Sequence, residues 1–123
     1  MQIFDIHQIQ KAIDLNEDLE ALIKNQSQAF IDFSAKGYDV PLPMHLSFPA
    51  NSGDCHIKAG FRKDSAVFVI KVASGFYHNS AAGLPSSDGA ILVFSQKTGL
   101  LLSILYDGGW LTTMRTAIAG IIA

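Results

Sequence analysis

The 123-residue sequence is poor in cysteine, tryptophan, proline and charge: it has one Cys, one Trp and four Pro, and 16% of its residues are charged. The lone thiol, Cys55, excludes an intrachain disulfide framework and fits a reducing, cytoplasmic setting. A formal net charge of −2 gives no electrostatic reason to expect nucleic acid or an anionic membrane as partner. The opening MQIFDIHQ lacks the basic and apolar segments of a signal peptide. No apolar run approaches the ~20 residues that span a bilayer. No strand-like run is followed by GxGxxG or GxxxxGK[ST], so no nucleotide-phosphate loop is expected. His45, Asp54, Cys55 and His56 do not fall at finger or ribbon spacing, so spacing alone predicts no metal site.

What is present describes one domain. A hydrophobic content of 49% is enough for a single core and too much for a disordered chain. Ile3–Phe4 reads as a short strand and His7–Ile13 as a short helix. Asn16 is placed as an N-cap, with Glu17, Asp18 and Glu20 favouring the helix start. Leu19, Leu22, Ile23, Ala29, Phe30 and Phe33 recur at helical spacing, which predicts an amphipathic helix over 17–36 ended by Gly37.

From Val40 the period changes. VPLPMHLSF carries two prolines and suits an edge strand. A turn at 51–54 leads to a strand over 55–59, and a turn at 62–65 to a strand over 66–74. Residues 75–89 read as a long Ser/Gly-rich connection, a length that is uncommon without a functional reason. Strands over 90–94 and 100–106 flank a hairpin in which Gly99 is free to take positive φ. Asp107-Gly108-Gly109 then turns into an apolar helix over 111–122. Helices first, then mainly antiparallel strands, then one helix is an α+β pattern.

Two cations stand where a purely structural account would not put them. Lys71 interrupts the apolar run Val67–Ala73, and Arg115 is placed near the start of the last helix, the end that favours anions. Both are costly unless they hold something negative, so they are expected to converge on a small carboxylate. The bland readings are a Lys71 that snorkels to solvent and an Arg115 that pairs with Asp107.

The ordered pieces Ile70-Lys71-Val72-Ala73-Ser74, Tyr77-His78-Asn79, Gly83-Leu84-Pro85, Thr98-Gly99 and Leu111-Thr112-Thr113-Met114-Arg115-Thr116-Ala117 are similar to the ornithine cyclodeaminase / mu-crystallin family. The last of them resembles the family's L-T-x-x-R-T-A element. His56-Ile57-Lys58-Ala59-Gly60 with IKVASGFYHN resembles a bacterial subgroup that includes ectoine-utilisation proteins. The resemblance covers essentially the whole chain.

That resemblance implies the N-terminal, substrate-binding and dimerisation half of an NAD(P)-dependent enzyme, its Rossmann unit inserted after the helix that carries Arg115. Residues 1–123 would form one such domain, cut off where the apolar helix should continue. Family activities are cyclising deamination, amino-acid dehydrogenation and ketimine reduction, all hydride transfers beside a carboxylate. Lys71 matches the catalytic strand lysine and Arg115 the arginine that grips the substrate carboxylate. His45 stands where members often carry another arginine, which departs from an ornithine-like pattern. Lys58 is a further substrate-site cation or an outward strand residue. Thr116 falls beside the cofactor in this alignment. A small amino or imino acid, NAD or NADP in the longer enzyme, and a homodimer through the sheet are the implied partners. The fragment alone is expected to be inactive and to bind no dinucleotide tightly. The alternative is a non-catalytic homodimeric ligand-binding or structural module.

Overall fold

The computed structural model describes residues 1–123. Its order is β1 (Gln2–Phe4), α1 (Ile6–Ala12), α2 (Leu15–Ser34), β2 (Tyr38–Asp39), β3 (Met44–Phe48), β4 (Gly53–Arg62), β5 (Val67–Phe76), β6 (Ser87–Ser95), β7 (Leu101–Leu105) and α3 (Trp110–Ile122), with short 3₁₀ turns at Pro49–Asn51 and Asn79–Ala82. The strands form one seven-stranded sheet in the order β1-β7-β6-β5-β4-β2, with β3 also paired to β4. Only β1 and β7 run parallel. The expected α+β architecture is therefore observed.

The helix starts are set by aspartates. Asp5 caps α1 in a reciprocal box with Gln8. For α2 the cap is Asp14, whose Oδ1 accepts from the Asn16 amide at 2.9 Å, while Asp18 accepts from the Asp14 amide at 2.8 Å. This corrects the expectation of an Asn16 cap: the helix starts two residues earlier than Glu17 because Asp14 and Asp18 satisfy its free N–H groups together. The stop also differs. Lys36, at φ 60°, takes the left-handed position, and the Gly37 amide reaches back to the Asp32 carbonyl at 2.7 Å. This is a Schellman stop with lysine, not Gly37, in the strained conformation.

The sheet is longer than the pattern predicts. β4 and β5 pair over nine residue pairs, from Gly53↔Phe76 to Phe61↔Phe68. Gly75 and Phe76 are therefore strand, and the long connection shrinks to residues 77–86. Within it, the Asn79 side chain donates to the Pro85 carbonyl at 2.9 Å and shapes the turn. Gly99 has φ 71°, as the hairpin requires, and Gly108 and Gly109 follow each other at φ 59° and 88°. That paired left-handed turn swings the chain from β7 onto the sheet face as α3.

Side chains alternate across the sheet. One face carries Lys58, Val69, Lys71 and Ile91, and α3 lies against it: Leu111, Thr112 and Met114 share a depression with Lys71 and Ile91. The opposite face carries Phe68, Ile70, Val72, Leu92, Phe94 and Ile104. Phe68 and Phe94 stack there at 4.9 Å between ring centroids. Ile9 and Ile118 are the only buried hydrophobic residues, and no side chain is wholly withdrawn from solvent. No helix is long and apolar enough to cross a membrane.

Candidate substrate site

The site is built from β4, β5 and α3. Lys58 and Lys71 are direct cross-strand partners, so their stems leave the same face side by side. α3 brings Arg115 over them. Together they line a cavity of about 630 Å³ with Tyr38, Val40, Val67 and Val69 among its walls. No aspartate or glutamate lines it. Arg62 is at its edge, but Arg62 is already paired with Asp64 at 2.6 Å and Asp32 at 3.9 Å. A second cavity of about 640 Å³, walled by Ala29, Phe30 and Phe33 of α2, shares Tyr38, Val40 and Arg115 with the first. The three free cations thus face apolar walls.

Lys71 is half-buried and its Nζ donates to Thr112 Oγ1 at 3.2 Å. Its ammonium is held below the ordinary lysine range, first by burial, then by Arg115 and Lys58; Asp107 opposes them. Asp107 is 2% exposed, and its Oδ2 accepts from the Leu111 amide at 2.8 Å. Arg115 does not pair with it: none of the four ion pairs in the molecule includes Arg115. Its place in the helix differs from expectation, since α3 begins at Trp110 and puts Arg115 in the second turn. The macrodipole argument therefore lapses, because that field fades within one turn. The absent carboxylate partner is the argument that remains.

The other expected site residues are placed less uniformly. Lys58 is solvent-exposed yet lines the cavity beside Lys71. Thr116 is exposed, and its hydroxyl donates to the Thr112 carbonyl at 2.7 Å within α3. His45 lies on the same sheet face but does not line the cavity. It stacks on His56 at 4.5 Å and approaches Asp54 at 3.9 Å. Sequence reasoning named Thr112 only as part of a motif and Asp107 only as a bland partner for Arg115, neither as a site residue. Thr112 stands three residues before Arg115, on the same helix face, which is the signal that could have marked it.

The 123 residues contain no βαβ unit and no glycine-rich phosphate loop of the Rossmann type.

An open α+β domain with a cation-lined, carboxylate-free cavity under its last helix is the class these features define. No family model matches the chain. It is 32% identical over all 123 residues to a protein of Rhizobium meliloti (strain 1021) named as a dehydrogenase, spanning 36% of that protein. It is 37% identical over 84 residues, 68% of this chain, to a protein of Sinorhizobium fredii named as a cyclodeaminase, spanning 25% of it. Among solved structures, the Thermococcus litoralis Δ1-pyrroline-2-carboxylate reductase, in complex with NADH and L-proline, superposes with a TM-score of 0.85 at 27% identity over 98% of this chain. A lysine cyclodeaminase superposes with a TM-score of 0.80 at 19% identity, a likeness of fold. The chain covers 36% and 35% of those two. This chain belongs to the ornithine cyclodeaminase / mu-crystallin family and matches the N-terminal half of its members' structures. It spans about a third of the length of the first relatives it matches.

Proposed function

We propose that residues 1–123 are the substrate-binding and dimerisation domain of an NAD(P)-dependent amino- or imino-acid enzyme, a dehydrogenase, ketimine reductase or cyclodeaminase. The observation that carries this reading is the cavity in which Lys58, Lys71 and Arg115 meet without a carboxylate. An α-carboxylate is the ligand that such a set lacks.

In this reading Arg115 grips the carboxylate through its planar fork and fixes its orientation. Lys71 lies over the carbon next to it. Burial and the neighbouring cations lower the pKa of its amine, a direction that suits a group which takes a proton from, or returns one to, the substrate nitrogen. The Thr112 hydroxyl holds that amine in place. Lys58 adds positive charge at the outer rim, and Val40, Val67 and Val69 give the cavity apolar walls. His45 stands along the same face, where it would meet a substrate only at its distal end. The hydride chemistry is that of a nicotinamide dinucleotide, bound by residues other than these; Thr116 is the position of this chain assigned nearest to it.

The test is calorimetric titration with a panel of α-amino and α-imino acids, NADH and NADPH, on the protein and on Lys71→Ala and Arg115→Ala. Binding of an amino or imino acid that both substitutions abolish supports the proposal. A folded protein that binds none of them overturns the substrate role and leaves the non-catalytic homodimeric module.

A further inference from the structure

We propose that His45, Asp54 and His56 form a binding site for one divalent transition-metal ion of the zinc class. The site is separate from the cation-lined cavity and shares none of the residues that line it.

The register of two strands assembles it. His45 of β3 is the direct cross-strand partner of His56 of β4, and Asp54 lies two residues before His56 on the same face. The three residues therefore project together from a hydrogen-bonded frame. His56 Nε2 is 3.6 Å and His45 Nε2 3.9 Å from Asp54 Oδ2. The metal-ligating atoms of the three all lie within 4.8 Å of one another. Bond lengths of about 2.0–2.2 Å in tetrahedral geometry set ligand atoms about 3.3–3.5 Å apart. Small rotations of half-exposed side chains close that difference with the strands unmoved. The imidazoles stack face to face at 4.5 Å with 17° between their planes, and both Nε2 atoms approach the same oxygen, Asp54 Oδ2.

The donor set selects the ion. Two imidazole nitrogens and one carboxylate oxygen suit zinc, nickel or cobalt(II), whereas magnesium and calcium require oxygen ligands. The Tyr77 hydroxyl approaches Asp54 Oδ1 at 3.5 Å, an outer partner for the oxygen that faces away from the histidines. Three protein ligands leave one position open to water or to an anion. Lys58 follows His56 by two residues on the same face, about 7 Å further along the strand. The ion would thus sit beside the cavity's outer rim.

The experiment is calorimetric titration of the chain with zinc chloride, then with magnesium chloride, in a non-chelating buffer. Expected are one zinc ion per chain, no magnesium binding, and at least ~10-fold weaker zinc binding in each of His56→Ala, His45→Ala and Asp54→Asn, since loss of even an outer partner costs that much. Cobalt(II) should give the intense visible bands of four-coordinate geometry. His7→Ala and His78→Ala should change nothing. For a readout independent of folding in the variants, imidazole nitrogen NMR of the unaltered protein should show two of its four histidines shifting with zinc. No zinc binding, an unchanged affinity in His56→Ala and His45→Ala, or shifts confined to His7 and His78 would overturn the site. Lys71→Ala and Arg115→Ala should leave zinc binding intact, so this test and that of the substrate role fail separately.

Discussion

Lys58 and Lys71 face each other as direct partners across β4 and β5, two ammonium stems on one sheet face with no acidic residue lining the cavity they enter. Like charges directly opposite on paired strands destabilise a sheet by about 0.2–1 kcal/mol. The ligand-free protein should therefore be stabilised by removing the more exposed of the two. Lys58→Met is expected to raise stability by an amount in that range of about 0.2–1 kcal/mol. Urea unfolding measures it. An unchanged or lower midpoint would mean that the two stems diverge and the repulsion is already relieved in solution.

The same crowding fixes a pH dependence. In the unfolded chain Lys71 titrates near the ordinary value of 10.5, and in the fold it titrates lower, chiefly through burial. Below both values each state carries the proton, and the fold bears the full cost of that charge. As pH rises through the folded value, the folded protein releases its proton while the unfolded chain still holds one. Stability contributed by this residue therefore rises with pH toward 10.5. Thermal melts of the protein and of Lys71→Met across alkaline pH separate it from other titrations. The unaltered protein should gain stability relative to Lys71→Met as pH rises; a constant difference would contradict the lowered pKa.

Arginine and lysine should not be interchangeable at position 115. A charge-assisted hydrogen bond is worth about 1.5–3 kcal/mol, so Arg115→Ala should weaken carboxylate binding by about 10- to 150-fold. Arg115→Lys keeps the charge and loses the fork, and should recover only part of that affinity. Titration with whichever amino or imino acid binds gives the answer. Full recovery with lysine would show that Arg115 acts as a point charge.

Asp107 supports the site from behind. It is 2% exposed, accepts from the Leu111 amide at 2.8 Å and anchors the helix that carries Thr112 and Arg115. Loss of a side-chain cap costs ~1 kcal/mol. Asp107→Ala should lower the unfolding midpoint accordingly and weaken ligand binding, although Asp107 does not line the cavity. Unchanged binding in a destabilised variant would restrict its role to the fold.

How much of this was legible depended on whether the signal was local. The strand character of β5 and β6, the φ demand at Gly99 and the break that Lys71 makes in an apolar run are all visible within ten residues, and each is found in the structure. Both caps of α2 were misplaced by local reading. Asp14 and Asn16 are equivalent as cap chemistry, and only the Asp18–Asp14 contact decides between them. Lys36 holds a left-handed conformation that residue preference assigns to its neighbour Gly37. The strand character of Gly75 and Phe76 comes from their pairing with Gly53 and Asp54, which composition does not show. His45, Asp54 and His56 were in view from the start. Their spacing matched no linear metal motif because the register between β3 and β4 supplies the third dimension.

The face of the sheet away from α3 leads to the last prediction. Ile70, Leu92 and Ile104 lie in one row across three strands, flanked by the stacked Phe68 and Phe94 and by Val72. None of these side chains is fully buried, so a contiguous apolar surface keeps access to solvent. A surface of that kind marks an association site, and a two-fold contact would place it against its own copy. Sedimentation velocity should show a dimer that grows with concentration. Leu92→Lys puts a charge at the centre of the row and should shift the population to monomer, while an unchanged far-ultraviolet circular dichroism spectrum shows that the variant is folded. A protein that stays monomeric at high concentration would overturn the homodimer.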